Sequence, residues 1–199
     1  MSSPFPNLLK SISKTRTLKK GETVFQLGQP AEAIYKVIRG QVHLYRHDQD
    51  GRRVLLYRAY DDHFFAEASL NSQQYHCTAV CIKPTDIEIF NAKQLLDLLN
   101  TNPDFALSWI SLLSSELRRQ RASVERLNIK SARERIRHYV MTEGEPWGEL
   151  HLKGTMTDWS EVLGLTRETL YRTLSDMEKQ GELERIDSLI RLTPFSRTR

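Results

Sequence analysis

From about residue 17 to residue 90 the chain runs in short extended stretches punctuated by glycine: ETVFQLG, AIYKVIRG, QVHLYRHDQDG, RRVLLYRAY and CTAVCIKPTDIEIF. Val42 and Leu44, and again Ile87 and Ile89, alternate with polar neighbours, and turn signals return roughly every ten residues. That pattern predicts a compact antiparallel barrel or sandwich. DQDG at residues 48–51 reads as a hairpin turn, with Gly51 taking the positive φ such turns demand. Asn91 then opens a helical stretch, NAKQLLDLL. Residues 100–103 break it, and Pro103 suits the first turn of the next helix, where a missing N–H costs nothing.

No Gly or Pro interrupts residues 104–127, and Ala106, Ile110, Leu113, Leu117, Gln120, Val124 and Leu127 fall at alternating spacings of four and three. This is the seam of a coiled coil between two copies of the chain, in which Gln120 would fix the register at some cost in stability. The other reading is an amphipathic helix packed on its own domain, and Trp109 and Leu112 are expected to face the barrel. SARERIRHYV begins a further helix, with Ser131 and Glu134 in capping-box positions. Residues 143–146 end it, and ELHLK is a short strand candidate.

The segment from Thr155 onward, TMTDWSEVLGLTRETLYRTLSDMEKQGELERIDSLIRL, carries the most information. Thr155 caps a short helix whose Trp159, Val162 and Leu163 face inward, and Gly164 can take the left-handed conformation that ends it. Thr166 caps a second helix. Leu170, Leu174 and Met177 share one of its faces, and Arg167, Glu168, Tyr171, Arg172 and Ser175 share the other. Gly181 stops it, and ELERIDSLIRL makes a hairpin wing with Asp187 and Ser188 at the turn. The result is a winged helix-turn-helix. Arginine bonds bidentately to guanine O6 and N7, and glutamate accepts from cytosine N4, so Arg167, Glu168 and Arg172 place G- and C-reading chemistry where such a helix enters the major groove. A solvated charged face on an ordinary helical bundle is the plainer alternative. Capped helices, central glycine and wing together argue against it.

Composition narrows the class without choosing the partner. The 199 residues, 39% hydrophobic, can hold one large domain or two small ones. Seven Pro and nine Gly are too few for a disordered chain, and no apolar run approaches a membrane span. The opening MSSPFPNLLKSISKTRTLKK has polar residues where a signal peptide needs an unbroken apolar stretch. Cys77 and Cys81 cannot build a disulfide framework, so the cytoplasm is the expected compartment and no membrane the expected setting. The formal charge is +4. Residues 1–127 hold 17 basic against 13 acidic residues, and residues 128–199 hold 12 of each. All the excess therefore lies outside the helix-turn-helix, and the case for DNA rests on where a few charges sit. No P-loop, nucleophile–base pair or paired-carboxylate motif appears, so an enzyme is not expected.

With LGLTRETLYRTL as recognition-helix pattern and Gly21, Gly28, Gly40 and Gly51 at the expected turns, nearly the whole chain resembles the cyclic-AMP receptor protein and fumarate–nitrate reductase regulator (Crp/Fnr) family of bacterial transcription factors. The resemblance implies an α+β architecture: an antiparallel, cyclic-nucleotide-binding-like β-roll (jelly-roll) over residues 1–102, a dimerisation helix over 103–130 and a winged helix-turn-helix over 131–199. It also implies a homodimer on two-fold symmetric double-stranded DNA, with RNA polymerase as a partner. Arg167, Glu168 and Arg172 match residues that read a TGTGA-like half-site, flanked by Thr166 and Ser175, while Tyr171 replaces the usual small residue.

The sensor departs from the nucleotide-binding members. Glu67 stands at the ribose-binding carboxylate, but Ala66 replaces the glycine beside it, and Asp62 and His63 replace the usual Gly-Asp. Cys77, followed by Thr78, takes the place of the phosphate-binding arginine. Gln120 and Arg121 stand where adenine-contacting hydroxyls would sit. Losing the guanidinium removes the permanent, bidentate partner of a buried cyclic phosphate, which argues against cyclic AMP. A metal or haem site from His63, Glu67, His76 and Cys77 is the alternative; an iron–sulfur cluster would need more cysteines. On a regular strand Cys77 and Cys81 share a face about 13 Å apart, too far to bond or chelate together. The plain reading makes both small buried hydrophobes and His76 a surface residue. An effector-free regulator also fits. Against the DNA-binding regulator stands one other class, a ligand-, metal- or redox-sensing module whose helix-turn-helix docks a protein.

Overall fold

The computed structural model describes residues 5–152 and 154–193. The chain divides between Ile110 and Ser111 into two compact units. Among the described residues no helix is long and apolar enough to cross a membrane.

The first unit opens with helix α1 (Phe5–Ser11) and strands β1 (Ser13–Leu18), β2 (Thr23–Phe25), β3 (Ala33–Arg39), β4 (Val42–His47), β5 (Arg53–Ala59) and β6 (Phe64–Phe65). A single 3-10 turn (Glu67–Ser69), β7 (Thr78–Cys81), β8 (Thr85–Asn91) and α2 (Ala92–Thr101) complete it, together with the first turns of α3 (Pro103–Asn128). The strands form two antiparallel four-stranded sheets, β1-β8-β3-β6 and β2-β7-β4-β5. The predicted hairpin joins β4 to β5, with Gly51 at φ 75°. Alternation explains the layering. On β3, Tyr35 and Val37 point between the sheets while Ile34 points outward, and on β8 Ile87 and Ile89 oppose Phe90 in the same way. The inner set packs with Leu18, Phe25, Phe65 and Tyr75; the outer set is covered by Leu9, Leu95, Phe105 and Trp109 from α1, α2 and α3.

Four elements were not anticipated: α1, β1, β6 and the 3-10 turn. SKTRTL forms β1, but only Leu18 is buried; the rest pairs with β8 through its backbone as an edge strand and carries no apolar alternation. α1 precedes it. The cap at Asn91 is as expected, accepting from Gln94 N–H at 3.1 Å.

The second unit comprises the rest of α3, α4 (Ala132–Glu143), β9 (Glu149–His151), α5 (Met156–Val162), α6 (Arg167–Lys179), β10 (Leu183–Ile186) and β11 (Leu189–Leu192), with sheet order β10-β11-β9. ELHLK is realised as β9, and Lys153 lies outside the described residues. Ile136, Val140, Trp159, Leu163, Leu170, Leu174, Met177 and Ile190 form the core. Val162, expected inward, is only half-buried. Ser131 caps α4 at 3.4 Å, but the Glu134 carboxylate pairs with Arg137. The full reciprocal box forms instead at α5, where Thr155 Oγ1 accepts from Asp158 N–H and the Asp158 carboxylate accepts from Thr155 N–H.

Candidate nucleic-acid interface and sensor site

α6 begins where Thr166 Oγ1 accepts from Thr169 N–H at 3.1 Å. Leu170, Leu174 and Met177 are fully buried, which fixes the helix's rotation. Arg167, Glu168, Tyr171 and Arg172 are thereby exposed together, with Thr166 exposed before them and Ser175 half-buried a turn further on. Among the described residues none of these side chains is spent on an internal ion pair, in contrast to the rest of the domain. Arg185 on β10 grips Glu178 with two bonds, holding the carboxyl below the usual carboxylate range, and Glu182 is shared by Arg133 and Arg137 at 2.6 and 2.8 Å. The wing turns at Asp187, φ 53°.

The tie between α3 and this domain comes from residues the sequence reading passed over. Arg126 is 1% exposed, bonded to Glu143 at 3.1 Å and lying 4.5 Å from the Tyr139 ring, and burial lowers its pKa. Arg135 donates to Leu127 O at 3.4 Å and to Ile129 O, and also to Leu163 O at 3.1 Å and Gly164 O at 3.0 Å. It thus holds the end of α3 and the turn before α6 in one guanidinium. Gly164 sits at φ 61°, and a Cβ there would meet Leu127 Cδ2 at 3.0 Å and Arg135 Nη1 at 3.2 Å. Sequence offers no periodic signal for such bonds, since their acceptors are backbone carbonyls.

Along α3 the seam residues Ile110, Leu113, Leu117, Val124 and Leu127 are all exposed in the single chain, as is Leu107. The alternative in which this stripe packs on its own domain is not what the chain does; the helix buries Phe105 and Trp109 instead, and Leu112 is half-buried. Gln120 bonds Glu116 at 3.1 Å and is exposed, as is Arg121.

In the sensor, Ala66 holds a glycine-like conformation, φ 65° and ψ 7°, before the turn that carries Glu67. Cys77 and Cys81 are free and buried in the roll core. Burial pushes both thiols up; beside Cys77 the Arg46 guanidinium offsets part of the rise and Glu67 adds to it. His76 is half-buried rather than on the surface, because its Nδ1 bonds Ser69 Oγ at 3.1 Å and Arg46 donates to its carbonyl. His63 lies by Tyr57 Oη at 3.2 Å, and Thr78 Oγ1 accepts from Leu27 N–H. Among the described residues no three His, Cys, Asp or Glu side chains are placed to hold a metal, so His63, Glu67, His76 and Cys77 are not gathered into one site. The roll interior is filled by stacked rings: Phe25 on Tyr75 at 3.9 Å, Tyr35 on Phe65 at 5.1 Å, with the two tyrosine hydroxyls 3.3 Å apart.

A cyclic nucleotide-binding domain model matches residues 15–102, and a Crp-like helix-turn-helix domain model matches residues 134–194. The chain belongs to the Crp/Fnr family. It is thus a DNA-binding transcription regulator of the Crp/Fnr type. Among Crp/Fnr relatives, the cAMP-activated global transcriptional regulator CRP of Pasteurella multocida is 26% identical over 166 residues, 79% of each chain. The nitrogen fixation regulation protein FixK of Azorhizobium caulinodans is 26% identical over 185 residues, 88% of this chain and 73% of that one. The structure of FixK2 from Bradyrhizobium japonicum superposes with a TM-score of 0.69 at 25% identity, covering 91% of this chain and 92% of the other.

Proposed function

We propose that this regulator acts as a cytoplasmic homodimer that reads a two-fold symmetric duplex with TGTGA-like half-sites through α6, that RNA polymerase is its downstream partner, and that it carries no enzymatic activity. The observation that carries the base-reading assignment is the capped α6, whose buried Leu170, Leu174 and Met177 present Arg167, Glu168 and Arg172 together on the open face. The uncovered α3 stripe supports the homodimer, since five apolar residues at coiled-coil spacing want a partner of the same pattern.

Cyclic AMP is not the effector in this reading. Where the family's nucleotide binders place a guanidinium, this chain has a buried thiol that stays uncharged at neutral pH, and four stacked rings occupy the roll interior. Glu67, Cys77 and Thr78 remain the positions in the roll where a different effector would act. Phe105 and Trp109 place the first turns of α3 in the sensor core. A change in the roll that turned α3 would shift the spacing of two recognition helices about 34 Å apart on successive major grooves.

Sites selected from randomised duplexes provide the test. Arg167→Ala or Arg172→Ala loses about 1–3 kcal/mol on the selected site and little on unrelated duplex. Equal losses on both overturn the base-reading assignment. A flat dependence of duplex binding on salt favours the protein-docking reading, because phosphate contacts release counterions.

A further inference from the structure

We infer that Tyr171 is a specificity-determining residue that reads a thymine through its 5-methyl group, an inference that rests on the DNA-reading assignment of α6. Every other large apolar side chain of that helix is fully buried, whereas Tyr171 is 44% exposed. Arg167, Tyr171 and Ser175 follow each other at i, i+4 spacing, which sets the ring between two polar groups on the reading face. Arg185 on β10 is already held by Glu178. The ring is therefore presented outward by the helix and, among the described residues, makes no hydrogen bond or ring contact.

The chemistry of the face selects its target. Arg167 and Arg172 suit guanine and Glu168 suits cytosine, but α6 has no Asn or Gln to pair with adenine N6 and N7. An A·T pair can still be distinguished through its thymine, whose methyl is the one apolar feature in the major groove. Of the exposed α6 side chains, only the Tyr171 ring offers an apolar surface to it.

Replacing thymine by uracil deletes that methyl and changes no hydrogen-bonding group. Using the full chain and a site selected from randomised duplexes, single thymine-to-uracil exchanges are expected to weaken binding about fourfold at one position per half-site, the equivalent of one buried methyl group. Tyr171→Ala abolishes that difference, Tyr171→Phe keeps it, and Arg172→Ala keeps it while lowering affinity throughout. No uracil-sensitive position, or one that persists in Tyr171→Ala, overturns the inference. So does a uniform loss in Tyr171→Phe without uracil sensitivity, which would make the hydroxyl a phosphate contact. Recovery of a symmetric consensus without uracil sensitivity leaves the DNA-reading assignment standing and removes only the role of Tyr171; recovery of no consensus removes both.

Discussion

Cys77 and Cys81 sit in the sensor core with thiols pushed up by burial, so folding binds their protons more tightly than the unfolded chain does. The contribution is complete below about pH 8.5, the ordinary thiol value, and is lost as pH rises through the higher native values. Tyr35, raised by burial and by its hydroxyl contact with Tyr75, acts in the same direction further into the alkaline range. The urea midpoint is therefore expected to fall between pH 8 and pH 10, and to fall less in a Cys77→Ala, Cys81→Ala double variant; an identical slope refutes the assignment. At neutral pH both thiols should resist alkylation until the chain is unfolded. The inward placement of both cysteines was legible from their character as small hydrophobes, but not their setting on one strand: Cys81 ends β7, whereas Cys77 lies one residue before it. The setting of His76 was not, because it depends on Ser69 and Arg46, which are local neither in sequence nor in pattern.

α3 was easier to read than the short elements α1 and β1, and length is the reason. The α3 stripe runs from Ala106 to Leu127 on a helix of 26 residues, long enough for periodicity to outweigh any single exception. β1 buries one side chain of six, so its only evidence is a backbone ladder to β8 that no side-chain pattern encodes. The end of α3 hides a second unreadable feature, since Arg126 looks like another surface arginine in sequence and is buried in the fold. Desolvation there works against the guanidinium, and Glu143 at 3.1 Å with the Tyr139 ring offsets it. Removing the carboxylate strands a buried charge, so Glu143→Ala should cost about 3 kcal/mol in a chemical melt, while Arg126→Met, which removes the charge and keeps the stem, should cost far less. Equal losses would mean that packing rather than charge dominates.

For the molecule as a whole, the proposed two-fold recognition requires a dimer, and the exposed stripe on α3 is the surface proposed to form it. Leu117→Arg sets like charges against each other in the seam; sedimentation should show the shift from dimer to monomer, with loss of binding to a symmetric site and an unchanged helical content. A dimer of undiminished strength would place the interface elsewhere. The architecture and the exposed polar face of α6 were legible because they depend on repeated local patterns and capping residues; the filling of the roll was not, because Phe25, Tyr35, Phe65 and Tyr75 meet across loops of differing length. Arg135 has a consequence of a different kind. It grips α3 and the turn before α6 through the carbonyls of Leu127, Ile129, Leu163 and Gly164, atoms that every amino acid supplies. Side chains on the seam or on the reading helix can then be rewritten over evolutionary time without cutting this linkage, provided residue 135 stays arginine and residue 164 stays glycine.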